Sequence, residues 1–238
     1  MQQIFDFPVF SDCTFDCFVS CDGNAAALEF ARKVIDPAEA DKLLYLHGPS
    51  GSGKTHLLKA VSRAISDLIG QSSPYLSCRD PFTVEELVKT FEAAPALLVD
   101  DLHLLPDLPE YRAALWQIFN DFYISARPVV MAGLYPPRQL PHMDDHLISR
   151  LLWGLVARVD ASDDHSRHMI LKKIADDRQV RVPDDVVDYI LMTSGREVGE
   201  LIANFESIYR LSLTEKRRIT LPLAREARER CSSGRAEP

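Results

Sequence analysis

Hydrophobic residues in the first two thirds of the chain fall into two alternating patterns. Five short apolar blocks, at 43–46, 75–78, 96–99, 128–132 and 155–159, are too brief for helices and lack the in–out alternation of a half-exposed strand. Such blocks predict strands buried on both faces, as in a parallel sheet covered by helices. Between them lie stretches of helical period: 24–34, 57–69, 83–91, 111–124 and 146–152. Asn24 stands where a helix cap belongs, and Asp36-Pro37 breaks the helix that follows. Gly70 stops the second helix, and Thr83 with Glu86 has the spacing of a capping box.

Beyond Asp160 strand signals nearly vanish. Ser162 is placed to cap a helix over 163–177, Pro183 opens one to 192, Arg196 opens one to 211, and 221–230 reads as a fourth. The expected organisation is an N-terminal arm at 1–23, an α/β domain at 24–160 and a small helical domain at 161–238. The α/β domain is expected as a parallel sheet with helices on both faces.

One predicted strand runs directly into Gly48, Pro49, Ser50, Gly51, Ser52, Gly53, Lys54 and Thr55, a complete GxxxxGKT sequence. A helical pattern starts at His56. Strand, glycine-rich loop and helix in that order form a phosphate cradle. Glycines let backbone N–H groups turn inward, and the helix adds its free N–H groups and positive dipole end. Lys54 suits the β- and γ-phosphates, and the Thr55 hydroxyl suits Mg²⁺. The block at 96–99 ends in Asp100-Asp101, which suits the same chemistry: Asp100 to hold Mg²⁺, Asp101 to orient an attacking water. Both motifs follow predicted strands, so they are expected to meet at the carboxyl edge of the sheet.

Composition narrows the picture. The net charge of -8 disfavours autonomous duplex-DNA binding. The basic runs 216–218 and 225–230 are most simply solvated helix faces. No apolar run approaches the ~20 residues of a membrane span, and the N-terminus has no signal-peptide pattern. A cytoplasmic location is the default expectation. Cys13, Cys17 and Cys21 lack the paired spacing of a zinc site, as do His142 and His146, and reduced thiols are the simpler reading.

These motifs resemble the DnaA group of AAA+ ATPases over nearly the whole chain. Phe15-Asp16-Cys17-Phe18-Val19 resembles the linker before the ATPase core. Gly-Lys-Thr-His-Leu-Leu at 53–58 resembles the group's version of the loop, which brings His56 into the cofactor-binding set. Leu98-Val99-Asp100-Asp101 resembles its acidic motif. Residues 135–140, Tyr-Pro-Pro-Arg-Gln-Leu, resemble the segment after its fourth strand, and residues 149–155 the segment carrying its arginine finger. The resemblance implies ATP or ADP with Mg²⁺ as ligands and Arg150 as a finger acting in trans. It also implies Phe18 and Val19 beside the adenine.

The layout, without room for a helicase-loading domain before the core or a helix-turn-helix domain after it, resembles the Hda-type regulators within that group. That implies regulation of replication initiation, with the DnaA initiator and the polymerase sliding clamp as partners and self-association among the expected assemblies. Gln2, Phe5 and Phe7 fit the spacing of a clamp-binding peptide. DNA contact is expected to be weak or indirect.

The chain departs from the group at two phosphate-contacting positions. Leu134, or Gly133 one residue earlier, stands where a polar γ-phosphate sensor is expected. Gly199, in Val198-Gly199-Glu200-Leu201, stands where the lid helix carries an arginine. Binding with slow or absent hydrolysis is therefore expected. The rival readings are a single-stranded-DNA-binding ATPase, a catalytically silent adaptor, and an unrelated P-loop kinase. Trp116 and Trp153 are expected in the core.

Overall fold

A computed structural model describes residues 13–233. The chain divides into two compact units between Asp160 and Ala161, and residues 13–23 belong to the first.

The first unit is a five-stranded sheet. Its strands are β1 (Leu43–His47), β2 (Leu76–Ser77), β3 (Leu97–Asp100), β4 (Val129–Gly133) and β5 (Leu155–Arg158), in the order β2-β3-β4-β1-β5. Every pairing is parallel. Helix α1 (Ala25–Ile35) precedes the sheet, and four helices connect its strands: α2 (Lys54–Ile69), α3 (Val84–Phe91), α4 (Pro109–Ile124) and α5 (Asp145–Leu151). The unbroken apolar blocks have a direct cause. Leu43, Tyr45, Leu97, Val99, Val129 and Met131 pack on one face of the sheet with residues of α3, α4 and α5. Leu44, Leu46, Leu98, Val130 and Ala132 pack on the other with residues of α1 and α2. Both sides of each central strand are buried, so neither side can be polar.

Local signals behaved unevenly. Thr83 and Glu86 form the full capping box of α3. Asn24 sits at the cap position of α1 but makes no capping bond. Its amide turns back instead. Oδ1 accepts from the Cys21 N–H at 2.8 Å, and Nδ2 donates to the Val19 carbonyl at 3.0 Å, which pins the linker to the helix start. α2 begins at Lys54 rather than after His56. β2 shrinks to two residues at the sheet edge.

The second unit contains α6 (Asp164–Asp177), α7 (Asp184–Thr193), α8 (Val198–Glu215) and α9 (Leu221–Ser233). Asp163, not Ser162, caps α6, through the Ser166 N–H. α8 opens at Val198 rather than Arg196. Ile170, Val187, Ile190, Leu201 and Phe205 are among its buried apolar residues. The nearly buried Arg167 donates to the carbonyls of Leu191, Ser194 and Gly195, tying the end of α7 to the loop before α8.

Leu98→Ala removes a fully buried side chain from a central strand and is expected to cost about 2–5 kcal/mol in urea unfolding. Met192→Ala, at a side chain 85% exposed, is expected to shift stability by less than about 0.5 kcal/mol.

Candidate nucleotide site

The loop from Gly48 to Thr55 leaves the carboxyl end of β1 and enters α2. Its backbone takes a path closed to most residues. Gly51 and Gly53 have φ of 67° and 107°. A Cβ on Gly48 would lie 2.1 Å from the Val159 carbonyl oxygen, so only glycine lets the loop pass that strand end. Lys54 is almost wholly buried, and its Nζ donates to the carbonyls of Gly48 (2.8 Å) and Pro49 (2.6 Å) across the loop. The Ser52 hydroxyl is buried with no hydrogen-bond partner. An unsatisfied hydroxyl beside a buried ammonium fits an anionic ligand seated in the loop.

The acidic pair meets this loop. The Thr55 hydroxyl donates to Asp100 Oδ2 at 2.6 Å, and Asp100 Oδ1 accepts from the Asp101 N–H at 2.8 Å. Burial pushes the Asp100 carboxyl above the ordinary carboxylate range, partly offset by those two bonds. A hydroxyl and a carboxylate already in contact, with nucleotide phosphates adjacent, are a donor set suited to Mg²⁺. Asp101 adopts a left-handed backbone, φ 50°. Its carboxylate accepts from Arg79 Nε at 3.0 Å.

Arg79 was not singled out from the sequence. Its signal was positional: it lies just past the carboxyl end of β2, where a parallel sheet gathers ligand-facing residues. His103 was also overlooked as a site residue. It occupies the 3₁₀ turn Leu102–Leu104, and its Nδ1 accepts from the Leu134 N–H at 3.2 Å. The half-buried, apolar Leu134 thus contributes only its main chain here, with an imidazole held beside it. Burial lowers the His103 pKa, and the charges of Asp101, Lys54, Arg79 and Asp100 all reach it.

His56, in the first turn of α2, turns toward the linker. Its Nε2 donates to the Thr14 carbonyl at 2.9 Å, and its ring meets Phe18 edge-on at 5.4 Å. The Phe18 ring would lie 3.0 Å from a Cβ on Gly53, so the linker packs against the phosphate loop. Gly199, in the first turn of α8, is exposed, and nothing lies within 4 Å of where its Cβ would be.

Arg150 stands apart from the loop. α5 carries the chain from the carboxyl end of β4 back to the amino end of β5, and Arg150 lies in its last turn. Trp153 is not a core residue as expected: it is 64% exposed, with its ring 4.7 Å from the Arg150 guanidinium. Burial rules favour large aromatics inside, but Trp153 lies in the tight turn after α5. Gln2, Phe5 and Phe7 lie outside the described residues. Among the described residues no group of three or more His, Cys, Asp or Glu is placed to hold a metal, and no helix is long and apolar enough to cross a membrane. Two basic residues of the late segments are neutralised at home: Arg217 and Arg230 both pair with Glu215 and Glu226.

Residues 10–158 match the profile of the bacterial DnaA ATPase domain. The chain belongs to the DnaA-related AAA+ family. Residues 164–227 match the Hda lid domain, which makes it a protein of the Hda type. Among curated relatives, the chromosomal replication initiator DnaA of Enterococcus faecalis is 29% identical over 231 residues, covering 90% of this chain and 51% of that protein. Geobacter sulfurreducens DnaA is 28% identical over 225 residues with the same coverage. This DnaA-related chain thus spans about half the length of those relatives. Domain III of Thermotoga maritima DnaA superposes with a TM-score of 0.80 at 22% identity, covering 93% of this chain and 97% of that one. AMPPCP-bound DnaA from Aquifex aeolicus gives 0.76 at 23% identity, covering 96% and 72%. The fold is that of an AAA+ core.

Cys78 packs beside the acidic pair, and its N–H donates to the Asp100 carbonyl at 3.0 Å. Burial, reinforced by Asp101 and Asp100, pushes its thiol up to about 12. A raised pKa means the folded state favours the neutral thiol. Its contribution to stability is whole below the ordinary value of 9.0 and is lost as pH rises toward 12. Thiol titration at pH 8 is expected to label Cys17 in the native protein and Cys78 only on unfolding; Cys78→Ser is expected to flatten the loss of stability above pH 9.

Proposed function

We propose that this chain is a nucleotide-binding regulator of chromosomal replication initiation that acts on a DnaA-type partner by lending it Arg150. The observation that carries this reading is the state of that side chain. Among the described residues, its guanidinium makes no hydrogen bond and no ion pair. A parallel strand of four or five residues, about 13–17 Å, separates the edge where it lies from the edge bearing its own phosphate loop. An arginine with five unused donors, remote from its own nucleotide site, suits an anion brought by another molecule. Supplying such a charge to a phosphoryl-transfer site is worth about 10³–10⁵ in rate.

In this reading the chain's own site binds ATP or ADP. Lys54 would exchange its two loop carbonyls for phosphate oxygens, and the Ser52 hydroxyl and loop N–H groups would donate to the same anion. Thr55 and Asp100 would hold Mg²⁺, which when bound offsets phosphate charge. The binding of an ATP analogue by the A. aeolicus relative supports the assignment. Hydrolysis by the chain itself would be slow. Arg79 occupies the Asp101 carboxylate that would orient water, and Leu134 brings no polar side chain. Gln2, Phe5 and Phe7 would recruit the sliding clamp.

Single-stranded DNA is a rival ligand, since a DnaA neighbour with TM-score 0.74 was solved with it. The net charge of -8 and the internal pairing of Arg217 and Arg230 weigh against it here.

Isothermal titration with MgADP and MgATP is expected to show binding that Lys54→Ala abolishes; no heat from wild type would end the nucleotide reading. Arg79→Ala is expected to raise the chain's own ATP turnover severalfold by freeing Asp101, measured as phosphate release. With ATP-loaded DnaA and DNA-loaded clamp, Arg150→Ala is expected to remove at least 10³-fold of any stimulation while nucleotide binding persists. Gln2→Ala/Phe5→Ala is expected to lose clamp pull-down.

A further inference from the structure

Both tryptophans of the chain flank the same cation. The Arg150 guanidinium lies 4.7 Å from the Trp153 ring, 5.2 Å from Tyr123 and 5.8 Å from Trp116. All three distances fall within the range of cation–π attraction, and tryptophan is its strongest partner. The rings come from two places: Trp116 and Tyr123 lie on α4, two turns apart on one face, and Trp153 lies just beyond α5. Tyr123 and Trp153 are neighbours, with ring centroids 6.5 Å apart.

The turn that brings Trp153 back is pinned at both ends. The Trp153 N–H donates to the Arg150 carbonyl at 3.0 Å, and the Leu152 N–H to the Ile148 carbonyl at 3.1 Å. At Gly154 the backbone runs so close to β1 that a Cβ would lie 2.6 Å from the Leu43 carbonyl oxygen. Behind the cluster, Trp116 stacks on the buried Phe119 at 6.1 Å, and Phe119 on Tyr123 at 5.9 Å. The cage therefore has a packed floor and an open side. That side is formed chiefly by Trp153, with Tyr123 partly exposed, Leu152 beside Trp153, and Ile124, 81% exposed, after Tyr123.

We propose that Trp116, Tyr123 and Trp153 are positioning residues that hold Arg150 extended before any partner arrives, and that exposed Trp153 anchors the docking of a nucleotide-loaded AAA+ core of the DnaA type. The inference rests on the trans role given to Arg150 above. Rings attract the guanidinium through their faces without occupying its N–H donors, which a carboxylate partner would do. The charge thus stays available to phosphate oxygens while the long side chain loses its freedom in advance. Prior ordering of this kind lowers the entropy cost of association. An exposed tryptophan beside an arginine, fringed by smaller apolar residues, is the composition of an interface hot spot. The unneutralised cation supplies the complementarity to an occupant that carries phosphate.

The test labels the full chain with 5-fluorotryptophan, which gives two fluorine resonances assigned through Trp153→Phe. In the free protein, Arg150→Ala is expected to shift both, since both indoles lose the same cation; two unmoved resonances would overturn the cage. Adding ATP-loaded DnaA with DNA-loaded clamp is expected to broaden or shift the Trp153 resonance.

In the stimulation assay, Trp153→Leu is expected to raise the concentration for half-maximal effect about tenfold, and Trp153→Phe to restore most of it. Wild-type behaviour of Trp153→Leu alongside a dead Arg150→Ala would refute the positioning role and leave the trans arginine standing. Wild-type stimulation by Arg150→Ala would refute the trans arginine itself and this inference with it. Retained dispersion of the Trp116 resonance in Trp153→Leu guards against misfolding; if that variant does not fold, Tyr123→Leu, on the other helix, carries the same prediction.

Discussion

The hydrogen bond from Thr55 to Asp100 joins two strands that are not neighbours. β4 lies between β1 and β3, so a loop from one and a carboxylate from the other meet only above the β4 end. That requirement explains much of the first unit. Gly48 must pass the Val159 carbonyl closely enough to bring the loop over the sheet. Asp101 must take a left-handed backbone so that Asp100 can accept its N–H and still face Thr55. The end of β4, Gly133-Leu134, becomes the floor of the site. A polar group is expected there, and the His103 imidazole stands beside it, bonded to the Leu134 N–H.

The two edges of the parallel sheet have separate chemical roles. The carboxyl edge gathers an ammonium held by two loop carbonyls, a carboxylate bonded to Thr55, an imidazole, and the Arg79–Asp101 ion pair. At the amino edge Arg150 is held among rings, its charge left without a carboxylate partner among the described residues. Parallel connectivity enforces the separation, because every crossover helix returns the chain to the opposite edge. A molecule built this way can keep a nucleotide on one side while offering a charged side chain on the other, with the same sheet fixing both.

The motifs that depend on contiguous residues were legible from the sequence. A phosphate loop is eight neighbouring positions, and the acidic pair ends an apolar block, so chemistry and spacing sufficed for Gly48–Thr55 and Asp100-Asp101. The central strands were also readable, because burial on both faces leaves few polar positions, whereas the edge strands β2 and β5 are only partly buried and carry Ser77 and Arg158. Features made by side chains choosing among partners were not. Asn24 has the right chemistry for a cap, but its amide found two linker groups instead. Trp153 has the composition of a core residue but lies beyond the last turn of α5, where an arginine face was available. Arg79 and His103 carry no local motif; they matter because the sheet brings the ends of β2, β3 and β4 together, and strand order is invisible in one dimension.

Gly199 bears on how easily this chain's chemistry could change. The site is open, solvent-facing and in the first turn of a helix, so no neighbour has grown into the space. Replacing glycine in a helix with arginine is favoured by propensity alone, by up to about 1 kcal/mol, and a single base change converts many glycine codons to arginine. Substitution here would leave no mark on the fold of the second unit. Neither packing nor backbone geometry stands in the way of a long side chain at this position.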